Sequence, residues 1–290
     1  MVTRRGFVSG GICVVGLAAT VLPVQAIGGE TRRRIDLAGF QRTRLILIKR
    51  AACFAQAGID VEKDFDIIRE MTAEFTDVMR ALQWGSNDLG IARENHARVI
   101  DALREVSTLW LPYSERAAAV AEARSMSDDD FSVLVEKERP LYETMNTAVG
   151  AIERTYGGDS VPLHPAFATN LAGRQRSLGQ QIASDVCLVG IDYKGEEARS
   201  RIAESMALFG NTHTALSQGK PMLGIRGPVQ PALASQYKVI ETLWSKYKAL
   251  AGPVAEGGAV DETLIRKVGA ASDALLAASD AAVKLFPGES

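Results

Sequence analysis

Asp36-Leu37-Ala38-Gly39-Phe40-Gln41-Arg42 and Asn170-Leu171-Ala172-Gly173-Arg174-Gln175-Arg176 are one phrase written twice, 134 residues apart. Slid by that interval, residues 35–113 match 169–247 without a gap, and 22 of 79 positions are identical. The match pairs Cys53 with Cys187, Phe75 with Phe209 and Leu89-Gly90-Ile91 with Leu223-Gly224-Ile225. It also pairs Thr108-Leu109-Trp110 with Thr242-Leu243-Trp244. A gap-free register of this length does not come from composition, so the chain reads as a tandem duplication.

Apolar positions shared by the two copies recur at helical spacing and do not alternate, which predicts four helices per copy. The first helix carries Ile48, Ala52 and Ala55 against Ile182, Val186 and Val189. The second carries Ile68, Phe75 and Leu82 against Ile202, Phe209 and Leu216, a heptad interval. The third carries Val99, Leu103, Val106, Trp110 and Tyr113 against Leu233, Tyr237, Ile240, Trp244 and Tyr247, the stripe of a bundle core. The fourth carries Leu134, Leu141, Met145, Ala148 and Ile152 against Val268, Leu275, Ser279, Ala282 and Phe286, entered through Ser127-Asp128 and Asp261-Glu262. Acidic starts suit the positive end of a helix. The fold class expected is all-α, two tandem four-helix up-down bundles: residues 27–156, a linker at 157–165 marked by Gly157-Gly158, and residues 166–290. Pro221, Pro228 and Pro231 predict a longer irregular connection before the third helix of the second copy.

Residues 1–26 read as an export signal. Thr3-Arg4-Arg5-Gly6-Phe7 precedes an apolar run from Ile12 to Leu22, and small residues follow at Val24-Gln25-Ala26. The paired arginines resemble a twin-arginine signal. The run is about half the roughly 20 residues a membrane span needs, so the expectation is a periplasmic protein that does not span the membrane after cleavage, with a retained anchor as the alternative. Cleavage removes Arg4 and Arg5 from 33 basic residues, leaving 31 against 35 acidic ones and a formal charge of −4. That balance argues against nucleic acid as a partner. His96, His164 and His213 stand alone and are expected to be solvated. No nucleophile motif, metal-ligand spacing, haem attachment sequence or phosphate loop is present, so no enzyme and no cofactor is expected.

A glycine inside a helix costs about 1 kcal/mol relative to alanine. Gly39 and Gly173, kept in both copies, therefore suggest that a backbone or ligand approaches closely there. The segment from Asn170 to Leu178 resembles the opening motif of the PilJ-type domain, the periplasmic N-terminal domain of type IV pilus chemotaxis transducers. That domain is related to the sensor domain of the nitrate and nitrite sensor kinases NarX and NarQ. The resemblance implies a four-helix bundle that pairs through its first helices and holds one anion on the two-fold axis. Carried onto this sequence, the anion would sit between Arg42 and Arg176 beside Gly39 and Gly173. Arg174 and Lys49 would add positive charge, and a single chain would form the pseudo-dimer. Two guanidinium groups about 5 Å apart repel by about 3 kcal/mol at an effective dielectric near 20, so something negative belongs between them. Planar oxyanions match the arginine fork. A small oxyanion, nitrate or nitrite favoured, is thus the expected ligand, with a membrane receptor or sensor kinase as the partner.

Cys53 follows Arg42 by eleven residues, three helical turns, and Cys187 stands identically to Arg176. If that face is the seam, the two cysteines meet there, either as a disulfide or as two buried thiols. The copies differ where Phe40 faces Arg174 and Lys49 faces Ala183. Two alternatives stay open. Each arginine could bridge an acid in its own bundle, for example Arg42 with a glutamate on the second helix. The chain could equally be a structural or adaptor module of a chemosensory or pilus system with no small ligand.

Overall fold

A computed structural model describes residues 24–156, 163–223, 225 and 227–286. The expected export segment up to residue 23 and the linker residues 157–162 lie outside the described residues. The described chain is helical throughout: α1 (Val24–Gln56), α2 (Val61–Trp84), α3 (Ala97–Ala123), α4 (Asp128–Glu136), α5 (Glu138–Tyr156), α6 (Leu163–Gly190), α7 (Gly195–Gln218), α8 (Pro231–Ala255) and α9 (Glu262–Lys284). A 3-10 turn spans Pro221–Leu223. The starts of α2, α3 and α4 and those of α7, α8 and α9 stand at one constant offset, as do two isolated antiparallel bridges, Ser86 with Ile91 and Lys220 with Ile225.

Helices α1, α2, α3 and the α4–α5 pair form one four-helix bundle, and α6 to α9 form the other. The heptad positions of α2 and α7 and the aromatic stripes of α3 and α8 are buried as the periodicity predicts. Phe75 stacks on Trp110 and Phe209 on Trp244, with ring centroids 3.9 and 4.2 Å apart. Ser127 and Asp130 make a reciprocal capping box at the start of α4, and Asp261 caps α9 through the Leu264 amide. The chain leaves α2 at Gly85 and α7 at Gly219 with φ of 84° and 85°, a left-handed conformation that favours glycine.

Three expectations are corrected. The fourth helix of the first bundle is broken at Lys137, because Pro140 lacks an amide hydrogen and its ring crowds the Glu136 carbonyl; Ala274 replaces it in the second bundle and α9 runs unbroken. The prolines before α8 do not lengthen the connection: Pro231 occupies the first turn, where a missing N–H costs nothing, and α8 starts in register with α3. His213 is not solvated but buried, with Nε2 2.8 Å from Glu241 and its ring against Phe209 and Tyr237.

The bundles join along α1 and α6, which run parallel and in register. The hydroxyls of Thr43 and Ser177 stand 3.1 Å apart, and Cys53 and Cys187 form a disulfide with Cα atoms 6.1 Å apart. Every residue from 41 to 54 is buried, because α1 is covered by its own bundle on one side and by α6 on the other.

Candidate functional site

The parallel register brings Arg42 and Arg176 together at the seam. A Cβ placed on Gly39 would stand 3.4 Å from Nη2 of Arg42 and 4.0 Å from Nη2 of Arg176. On Gly173 the corresponding distances are 3.8 and 3.3 Å. Both glycines therefore face both guanidinium groups, which is the close approach that their place inside helices required.

Each arginine reaches across the seam with one nitrogen and back to its own bundle with another. Arg176 donates to Asp36 Oδ1 at 2.6 Å across the seam and to Asp280 Oδ1 on α9 at 2.9 Å. Arg42 donates to Asn170 Oδ1 at 2.8 Å and to Asn146 Oδ1 on α5 at 2.7 Å. The geometry is two-fold and the charge is not: Arg176 has two carboxylates, and Arg42 has two neutral amides. Arg42 is fully buried, and desolvation, reinforced by Arg174 and Arg176, lowers its pKa to about 10, so it stays charged at neutral pH. Phe40 lies between the guanidinium groups of Arg44 and Arg176, whose central carbons sit 4.7 and 4.8 Å from its ring centroid.

Arg174 is half-buried on the outer side of α6, where its Nε has no hydrogen-bond partner. It lines a groove of about 510 Å³ between α4–α5 and α6–α7, with Ser177 of α6 and Tyr142 of α5 among the other lining residues. Lys49 lines the same groove as Arg174 but does not join Arg42 and Arg176. Two turns further along α1, it pairs with Glu138 at 3.3 Å and Asp185 at 3.7 Å, and Arg201 binds the same Asp185 at 3.0 Å. Burial pushes the Glu138 carboxyl up, against the pull of Lys49. The glutamate on α2 pairs with Arg44, at 2.9 Å from Glu74, and not with Arg42.

Four partners of the arginines escaped the sequence reading. Asp36 and Asn170 stand inside the repeated phrase, so their shared position was a usable signal. Asn146 and Asp280 are also 134 residues apart, but they lie beyond the aligned stretch.

Residues 163–268 match the family described as PilJ, Type IV pili methyl-accepting chemotaxis transducer N-term. This stretch of the chain is similar to the PilJ domain. It begins with α6, carries Gly173 and Arg176, and ends inside α9. The PilJ match covers α6 to α8 and the first turns of α9; the first bundle is related to the second here by the 134-residue register alone. No curated protein and no solved structure matches the chain. Among the described residues no helix is long and apolar enough to cross a membrane, and no group of three metal-ligating side chains occurs.

Proposed function

We propose that this is an exported, periplasmic sensing module of a chemosensory or pilus system, in which a small oxyanion binds Arg42 at the seam between a PilJ domain and its diverged copy. The observation that carries the reading is a buried guanidinium without a carboxylate. A fully desolvated cation is costly unless paired, and two amide dipoles offset that cost only in part. Asp36 and Asp280 are taken up by Arg176 and Lys284, and Glu153 is held by the Asn170 amide, which leaves Arg42 as a buried cation with no carboxylate of its own. A monovalent planar oxyanion, with nitrate or nitrite favoured, supplies that charge and accepts the bidentate fork in place of an amide oxygen. Occupancy would draw α1 and α6 together at the arginines, and a receptor or sensor kinase would read the change.

Nitrate, nitrite, sulfate and chloride are each titrated against thermal unfolding. An anion at 100 times its dissociation constant stabilises by about 2.7 kcal/mol. Asn170→Asp places a carboxylate on Arg42 as Asp36 does on Arg176, and should abolish the shift while the fold persists. A second reading, an adaptor whose seam arginines only lock the bundles, is favoured by the two carboxylates that Arg176 holds, one from each bundle. It is the one left standing if no anion shifts the transition or if Asn170→Asp responds like the wild type.

A further inference from the structure

On the side of the seam away from the Arg174 groove, α1, the start of α2 and α9 line a cavity of about 320 Å³ that opens to solvent. Its charged lining is Arg50, Asp60, Lys63, Asp64, Arg266 and Asp273. Two pairs satisfy one another: Arg50 Nη1 holds Asp273 Oδ1 at 2.5 Å, and Arg266 holds Asp60 at 2.8 Å. What remains unmatched is specific. Asp64 is 3% exposed and its Oδ2 has no hydrogen-bond partner, and the Nε of Arg50, itself 4% exposed, has none either. A buried acceptor and a buried donor each left unpaired are expensive, and both belong to residues lining the same cavity.

We propose that this cavity is a second ligand site, taking a small zwitterion of the amino-acid type whose ammonium group donates to Asp64 and whose carboxylate accepts from Arg50. A zwitterion fits because the lining is balanced in charge, three cations against three carboxylates, so neither a lone cation nor a lone anion leaves it neutral. The ligand would touch α1 and α2 of the first bundle and α9 of the second, and so bridge the two next to the Cys53–Cys187 bond. Burial and the nearby carboxylates of Asp60 and Asp273 raise Asp64 to about 7, against the opposing pull of Arg50 and Lys63, so ligand binding tightens as the pH rises through that value.

Isothermal calorimetry and thermal unfolding of the whole chain at pH 8, with glycine and L-alanine as probes and methylammonium and acetate as controls, test the site. Either amino acid should bind and raise the midpoint, and the single-charge controls should not. Asp64→Asn, which removes a buried charge at constant shape, should weaken binding at least tenfold while circular dichroism shows the helices intact. Asn170→Asp at the arginine seam should leave amino-acid binding unchanged, so failure here is separable from failure of the oxyanion reading. Absence of heat and of any shift with both amino acids, equal binding by Asp64→Asn, or equal binding of methylammonium overturns the proposal.

Discussion

The disulfide between Cys53 and Cys187 offers the sharpest quantitative test of the seam. It closes a loop with a sequence separation of 134 residues. In the chain-entropy description, a loop of that length withdraws about 5 kcal/mol of conformational freedom from the unfolded ensemble. Both cysteines are fully buried among α1 and α6 residues, so the cross-link adds no exposed strain point, and its loss should appear almost wholly as a cheaper unfolded state. With a denaturant slope of about 5 kcal/mol per molar guanidinium for a chain this size, the double variant Cys53→Ala/Cys187→Ala should unfold roughly 1 M earlier than the oxidised wild type. Wild type unfolded with excess reductant is the control: it lacks the cross-link but keeps both side chains, so the difference between it and the double variant isolates packing. Coincident midpoints for the oxidised protein and the double variant would refute the reasoning. So would free thiols at both Cys53 and Cys187 in the denatured, unreduced protein, because the register of α1 on α6 would then not bring the sulfurs to bonding distance.

Three further outcomes follow from the same geometry. Arg176→Ala takes a hydrogen-bonded partner from Asp36 and leaves Asp280 to Lys284 alone, and should cost about 2 kcal/mol, whereas Arg42→Met leaves only amides behind and should be near neutral or stabilising; chemical denaturation of the two variants at low salt gives the order, and the reverse order contradicts the charge asymmetry. Asp64, raised to about 7 in the fold from an unfolded value near 3.8, favours the folded state while protonated, so its contribution is present below pH 4 and is lost as pH rises through 7; Asp64→Asn should flatten that part of the stability–pH profile and gain roughly 1–2 kcal/mol at pH 8, discounted for solvent reaching the cavity. In the interior of the second bundle, His213 Nδ1, Tyr237 Oη and Ser279 Oγ are buried without partners, while the corresponding first-bundle residues are Met79, Leu103 and Met145; the triple variant His213→Met/Tyr237→Leu/Ser279→Met should therefore raise the unfolding midpoint, and a fall would mean that the polar groups are partnered in solution.

What the sequence made legible depended on how many sides of each helix are covered. α2, α3, α7 and α8 each keep one solvent face, so their apolar stripes stand out, and Ile68, Phe75, Leu82 and their partners were readable as core. α1 and α6 are covered on both sides, and a helix buried all round has no stripe to contrast with a polar face. The seam was readable only because one phrase occurs twice, which put Arg42, Arg176, Cys53 and Cys187 on a shared face. Lys49 was misplaced by the same logic: helical spacing gives its face but not its depth, and the acids that claim it, Glu138 and Asp185, come from α5 and α6. Asp64 left no trace in the sequence, because nothing at its position in α2 reveals that a helix of the other bundle closes over it.

Two bundles carried on one chain need not bring the same charge to their shared seam. In a homodimer every side chain on the axis appears twice, so the two subunits bring equal charge to it. Joining the two halves in one chain frees their sequences to diverge. Asp36 and Asp280 stay acidic on one side while Asn170 and Asn146 are neutral on the other, with both arginines in place. The charge can then differ between the two sides of the pseudo-two-fold axis without disturbing its geometry. Replacing a carboxylate by an amide of nearly the same shape is the smallest change that achieves this, and it occurs at both contacts of Arg42, the arginine that the proposed anion would neutralise.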